Sequence, residues 1–258
     1  MENQLLDSDL LNNKEGKSLS SLLTSGYETH SSDYIKKGFE IFKKNAGPFI
    51  GFILIVAVAQ IIISIIPFVK GFAGALIGPI VAGGLIVSKM IDKNEPHEFS
   101  NFFDGMKNYV PLFLVTLFPT LLMAVIFLVV GGWAYFKMAF LGITPKIDFE
   151  NMESLKSLAG TGVRASLAGI ISIIVSVLFI FGTSLVLFEK FEPIRALDIS
   201  SKIVSKKFFN WLGFLLLLVL FNMVGLLCLG IGLLVTIPST VCALYVAYED
   251  VFGLNLRD

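Results

Sequence analysis

The sequence predicts an all-α, polytopic integral membrane protein. About six transmembrane helices form three hairpins, each preceded by a short amphipathic helix at the cytoplasmic interface. Three observations carry this expectation. Of the 258 residues, 55% are hydrophobic and only 16% are charged, whereas an ordinary soluble domain is about a quarter charged. The apolar residues fall in long blocks, and the mean hydropathy is +0.81. The basic residues, finally, segregate to alternate loops. A soluble enzyme, a disordered chain and a secreted disulfide scaffold are all poor fits to such a composition.

Residues 1–32 are polar, and are expected to form a disordered or loosely docked tail, with Leu19, Leu22 and Leu23 suited to a weak surface helix. No basic leader runs into an apolar core there, so a cleavable signal peptide is not expected. Residues 33–258 are expected to form the membrane domain. Its apolar blocks lie at about Pro48–Phe68, Phe72–Ile91, Val110–Tyr135, Val163–Phe188, Trp211–Leu227 and Leu229–Tyr248. A hydrocarbon core of about 30 Å needs about 20 residues of helix, so each block is long enough or nearly so. Lipid offers no hydrogen-bond partner to the backbone, which makes helices the expected form.

Three charged segments precede the odd-numbered spans. The first, Asp33–Asn45, sets Ile35, Phe39 and Phe42 apart from its lysines. In the second, Glu98–Asn108, Phe99, Phe102, Phe103 and Met106 fall at helical spacing. The third, Ile194–Lys207, gathers Arg195, Asp198, Lys202 and Lys206 in one arc. All are expected to lie in the interface plane. Their flanks repeat. Lys44-Asn45-x-x-Pro48 recurs as Lys107-Asn108-x-x-Pro111, and Asp92-Lys93-x-Glu95-Pro96 as Glu189-Lys190-x-Glu192-Pro193. A third copy is less clean, with Asn210-Trp211 and no proline, and the final exit, Tyr248-Glu249-Asp250, matches only in being acidic. The expectation is three units of short helix plus hairpin. Lys70, Lys137, Lys146, Lys156 and Arg164 fall on one side of this arrangement and the other Lys and Arg residues on the opposite side. The positive-inside rule then places both termini in the cytoplasm of a bacterial inner membrane.

The run Gly38-Phe-Glu-Ile-Phe-Lys-Lys-Asn45 and the ending Pro238…Tyr245-Val-Ala-Tyr248-Glu249-Asp250 resemble uncharacterised bacterial integral membrane proteins. Those proteins are similar to the membrane domain attached to some glycerophosphoryl diester phosphodiesterases. The resemblance covers most of residues 33–258 and implies a six-helix membrane fold of unknown role. No barrel-length soluble segment is present, so phosphodiesterase activity is not implied.

Candidate functional residues are few. Gly74, Gly78 and Pro79 in the second span suit either close helix packing, the favoured reading, or a hinge. Gln60 and Asn222 are the interior polar candidates for a cavity or for interhelical hydrogen bonds. Pro119 and Pro238 should bend their helices, with Thr116, Thr120, Thr236, Ser239 and Thr240 placed to satisfy freed carbonyls. Lys36, Lys37, Lys43, Lys44, Lys202, Lys206 and Lys207 are expected at anionic headgroups, chiefly as determinants of topology. No ionisable residue sits at mid-depth, which argues against a proton-driven pump. The two histidines and two cysteines are scattered, and Lys+Arg balances Asp+Glu at 20 each. No catalytic residue, cofactor, metal or nucleic-acid partner is therefore expected. The partners expected are the lipid bilayer and other membrane proteins. The outward segment 135–162, with Trp133, Tyr135, Phe136 and Phe140 and then Asp148, Glu150 and Glu153, is the expected docking loop for an exported partner. The leading expectation is a non-enzymatic accessory or scaffold subunit, with a transporter or lipid-handling protein as the alternative.

Overall fold

The computed structural model describes residues 19–24, 27–66, 69–136 and 152–253, and these contain helices and no strand. In chain order the α-helices are α1 (Leu19–Thr24), α2 (Ser31–Lys44), α3 (Ala46–Ile65), α4 (Ala73–Asp92), α5 (Tyr109–Val129), α6 (Gly132–Phe136), α7 (Met152–Leu178), α8 (Gly182–Glu189), α9 (Pro193–Lys206), α10 (Phe208–Leu227) and α11 (Leu233–Phe252). A 3-10 helix, Phe99–Asn108, precedes α5, and a shorter one, Lys70–Phe72, precedes α4. Six helical stretches are long and apolar enough to cross a membrane: α3, α4, α5 with its preceding 3-10 helix, α7 with α8, α10, and α11. The protein is an all-α, multi-pass membrane protein. Much of the docking loop expected on the outer side, including Phe140, Asp148 and Glu150, lies outside the described residues, as do the side chains of Tyr135 and Glu153.

Three short helices each meet the next span through one residue outside the α conformation, which in the second is the last residue of the 3-10 helix. These joints are Asn45 (φ −143°, ψ 43°), Asn108 (φ −117°, ψ 42°) and Lys207 (φ −129°, ψ 43°). One backbone conformation thus turns the chain at three places. It also identifies the unclear third copy: Lys206-Lys207 stands where Lys44-Asn45 and Lys107-Asn108 stand, and the missing proline changes nothing essential. Counting from the joints, the fourth residues are Phe49, Leu112 and Trp211, and the seventh are Phe52, Val115 and Phe214. None of these six is more than 2% exposed. Counting back from the acidic exits Asp92, Glu189 and Glu249, the fourth residues Ser88, Leu185 and Tyr245 are all 0% exposed. Burial therefore follows a three-unit register.

The units close on one another. α2, opening the first unit, packs across α11, which ends the third; the 3-10 helix of the second unit packs on α4 of the first; α9 of the third packs on α8 and α7 of the second. Each short helix thus seals the even-numbered span of the unit before it, and the series returns to its start. The even-numbered spans are consequently internal, with 56%, 44% and 61% of their most apolar stretch buried, against 17%, 11% and 22% for the odd-numbered ones.

Glycines permit the tightest of these contacts. Gly83 lies directly beneath the Phe102 carbonyl, and Gly105 directly over the Pro79 carbonyl, so a Cβ at either would collide with backbone. A Cβ on Gly38 would come to 2.5 Å from the Ala243 nitrogen. The second short helix is 3-10; Phe102 and Gly105 lie on its buried side, while Phe99 (43% exposed) and Met106 (45%) are only partly covered. Phe99 keeps ring contact with Phe102 and Phe103, at centroid distances of 5.7 and 5.9 Å.

The fourth span is broken between α7 and α8. Unpaired backbone at membrane depth is tolerated only where protein satisfies it. Here the Ser200 hydroxyl of α9 does so, accepting from Phe181 N–H at 3.2 Å and donating to the Leu178 carbonyl at 2.8 Å. The described end of the N-terminal segment is docked, not disordered. Leu22 of α1 is buried, Tyr27 donates to the Ile203 carbonyl at 2.9 Å, and Trp211 Nε1–H donates to Tyr27 Oη at 2.6 Å.

Two stability outcomes follow. Gly83→Ala should lower the detergent-solubilised Tm markedly, since overpacking a tight contact costs about 1–3 kcal/mol or more, while Gly74→Ala, with open space around it, should leave Tm unchanged. Equal Tm values for the two variants would refute the packing account. Ser200→Ala should cost about 1–3 kcal/mol by orphaning a buried N–H, and hydrogen exchange should quicken at Phe181 while remaining slow at Leu185.

Candidate functional site

The even-numbered spans end together, and their exits carry the molecule's densest polar network. Lys37 of α2 stands between two carboxylates, 3.2 Å from Asp92 and 3.5 Å from Glu249, and Lys93 pairs with Glu249. Tyr245 donates to Asp92 at 3.2 Å and Tyr248 to Glu189 at 2.9 Å. Tyr34 donates to Asp250 at 2.6 Å, and His30 lies 3.8 Å from the same carboxylate. Every one of these links joins residues distant in sequence, and most join the first unit to the third. Between α2 and α11 the network lines an open cleft of about 690 Å³, bounded by His30, Asp33, Tyr34, Lys37, Val246, Glu249 and Asp250.

Burial alone would lower the Lys37 ammonium pKa, but the Asp92 and Glu249 charges outweigh it and hold the pKa above the ordinary lysine value. For Tyr34, burial raises the phenol and the bond to Asp250 raises it further. The network thus sets four carboxylates, Asp92, Glu189, Glu249 and Asp250, against the Lys37 and Lys93 ammonium groups, with three tyrosine hydroxyls donating to the carboxylates.

The second feature is an apolar groove of about 460 Å³ on the flank of α10 and α11, reaching the break in the fourth span at Ile180. Asn222 and Thr240 are its polar residues. Asn222 Nδ2 donates to Thr240 Oγ1 and to the Leu218 carbonyl, both at 2.8 Å. Its Oδ1, and the Thr236 hydroxyl nearby on α11, are buried without a partner among the described residues.

The residues singled out from the sequence do not converge. Gly78 packs against Thr116 of α5, as close packing predicts, whereas Gly74 faces open space and Pro79 lies under the 3-10 helix at Gly105. Gln60 meets Ser64 on its own helix, and Asn222 belongs to the α10–α11 hairpin. The α10–α11 groove takes in Asn222 but not Gly78, Pro79 or Gln60. Of the five hydroxyls near the prolines, four bond carbonyls: Thr116 reaches Leu112, Phe113 and Ala75, Thr120 reaches Thr116, Ser239 reaches Val235, and Thr240 reaches Thr236. These are not the Val115 and Leu234 carbonyls four residues before each proline, and Thr236 has no partner among the described residues.

The basic residues divide. Lys36 is 75% exposed and 3.7 Å from Asp33, and Lys202 reaches Asp198 at 2.6 Å. Lys43 lies over the Phe39 ring and Lys207 over Tyr27, while Lys44 and Lys206 are exposed. Lys37 departs from the group: although half exposed, it ties the ends of two even-numbered spans together through Asp92 and Glu249. Sequence reasoning missed this role, and it missed Ser200, Gly38 and Gly105. Lys37 and Gly38 sit one turn before Ile41 and Phe42, which was the available signal.

No protein-family model, curated protein or solved structure matches the chain. The functional reading therefore rests on the chain's own geometry.

The network predicts an alkaline limit to stability. Tyr34 and Lys37 both have raised folded-state pKa values. Their contributions are complete below the ordinary values of 10.0 and 10.5 and are lost as pH climbs through the raised folded ones. Tm in detergent should hold steady through mildly alkaline pH and fall beyond about pH 10. Pairing Lys37→Met with Tyr34→Phe should lower the plateau and flatten that fall. An identical alkaline slope in wild type and double variant would contradict the assignment.

Proposed function

We propose that this protein is a non-enzymatic scaffold or accessory subunit of a bacterial inner membrane, with both termini cytoplasmic and the three short helices lying along the cytoplasmic face. The observation that carries this reading is the contrast between a locked interior and an open periphery. The even-numbered spans are tied by glycine contacts, buried aromatics and the Lys37–Asp92–Glu249 network. The odd-numbered spans present apolar residues such as Ile61 (62% exposed), Val125 (55%) and Leu220 (57%) along their length. Such faces accept either lipid or other membrane helices. The exposed Lys36, Lys44 and Lys206 suit the cytoplasmic side.

A second reading, lipid handling, is favoured by one specific feature. The α10–α11 groove opens at a depth where acyl chains are the solvent, and it holds a polar pair at its base.

Purification of the tagged protein in native-lipid particles, followed by mass spectrometry, separates the two. The scaffold reading predicts another membrane protein at equal abundance. Recovery with one enriched lipid species, lost in a Met223→Trp variant that fills the groove, would favour lipid handling instead.

A further inference from the structure

The three-unit register exposes a polar group with no place inside the molecule. Gln60 stands fifteen residues beyond the Asn45 joint, and Asn222 stands fifteen beyond Lys207. The two amides are thus equivalent positions of the first and third hairpins. Asn222 is satisfied within its own hairpin, because Thr240, nine residues before the acidic exit Glu249, offers a hydroxyl at 2.8 Å. The first hairpin has Gly83 nine residues before Asp92, and Gly83 is pinned beneath the Phe102 carbonyl. No hydroxyl is available there. Gln60 is left exposed on α3, and its Nε2 reaches Ser64 Oγ, one turn along the same helix, at 3.5 Å.

Depth makes this costly. Gln60 stands fourteen residues after the start of α3 and five before its end, about 21 Å and about 8 Å from the two ends at 1.5 Å per residue, and so within the outer half of a hydrocarbon core of about 30 Å. An amide there has no water and no lipid donor. Beside it on the wheel lie Ala57, Ile61 and Ser64, all exposed, and two of the three are small enough to let another helix approach closely.

We propose that this stripe, Ala57–Gln60–Ile61–Ser64, is a self-association surface, and that its partner is α3 of a second copy of the chain. Chemistry and topology both select the second copy. A primary amide is donor and acceptor at once, so two of them satisfy each other. Copies inserted with the same topology hold Gln60 at the same depth, and a twofold axis along the membrane normal brings the pair together. The inference deepens the scaffold reading by naming one partner of an odd-numbered span.

The test is association of the full-length protein in liposomes, read by single-molecule photobleaching over a range of protein-to-lipid ratios. Wild type should be dimeric at low density. Gln60→Leu should weaken association by on the order of tenfold, with its Tm unchanged because Gln60 bonds only within its own helix. Ile55→Leu, on the opposite face of α3 and likewise exposed, should dimerise as wild type does. In a Cys228→Ser background, Ala57→Cys should form a disulfide-linked dimer and Ile55→Cys should not. A monomeric wild type, or undiminished dimerisation of Gln60→Leu, would overturn the proposal. If that monomer still purifies with another membrane protein, the scaffold reading stands without self-association. If it purifies alone, both fall.

Discussion

The packing of each short helix onto the even-numbered span of the preceding unit is the contact on which the rest of the structure depends. Within a bilayer, apolar burial gives little net drive for helices to associate, because lipid is as apolar as the side chains. Close approach must therefore come from shape. Gly38 against Ala243, Gly83 against Phe102 and Gly105 against Pro79 supply it at backbone distance. These contacts serve two of the three interfaces; at the third, Gly182 of α8 lies against the Leu197 side chain of α9.

Closure has a consequence for polar groups. The even-numbered spans bring Asp92, Glu189 and Glu249 together at one end, which would be repulsive without compensation. Tyr245, Tyr248, Lys37 and Lys93 supply that compensation, and most of these partners come from another unit. Charge neutralisation and ring closure are thus one event. At the broken fourth span the same logic operates with neutral groups, where Ser200 of the next unit restores the hydrogen bonds that the break removes. The odd-numbered spans bury residues chiefly near the joint, Phe49, Phe52 and Ile53 in α3, Leu112 and Val115 in α5, and Trp211, Phe214 and Leu218 in α10, which leaves most of their outer halves to whatever surrounds the protein.

Much of the fold was legible because membrane physics leaves few choices. Six apolar blocks had to be helices, and the Lys-Asn joints announced two of the three repeats. The third was obscured because Lys207 replaces asparagine and the proline is missing, although the backbone conformation is unchanged. The helical type of residues 99–108 was not legible. Phe99, Phe102, Phe103 and Met106 fit an α-helical face, and the close approach of Gly105 to the Pro79 carbonyl, which joins residues distant in sequence, leaves no mark in that spacing. The candidate site was the least legible part. Gly78, Gln60 and Asn222 share polarity or smallness in sequence, but spacing along the chain carries no information about which hairpins adjoin. Lys37 looked like one lysine of a basic cluster, and only the meeting of α2 with the ends of α4 and α11 reveals its partners Asp92 and Glu249.

The central claim is that the first unit closes onto the third, and a disulfide trap tests it most directly. With Lys37→Cys and Glu249→Cys in a Cys228→Ser background, oxidation in intact membranes followed by proteolysis between residues 137 and 150 should leave the N- and C-terminal fragments covalently joined within a single chain. Fragments that separate freely, or that join only between chains, would contradict the closed ring.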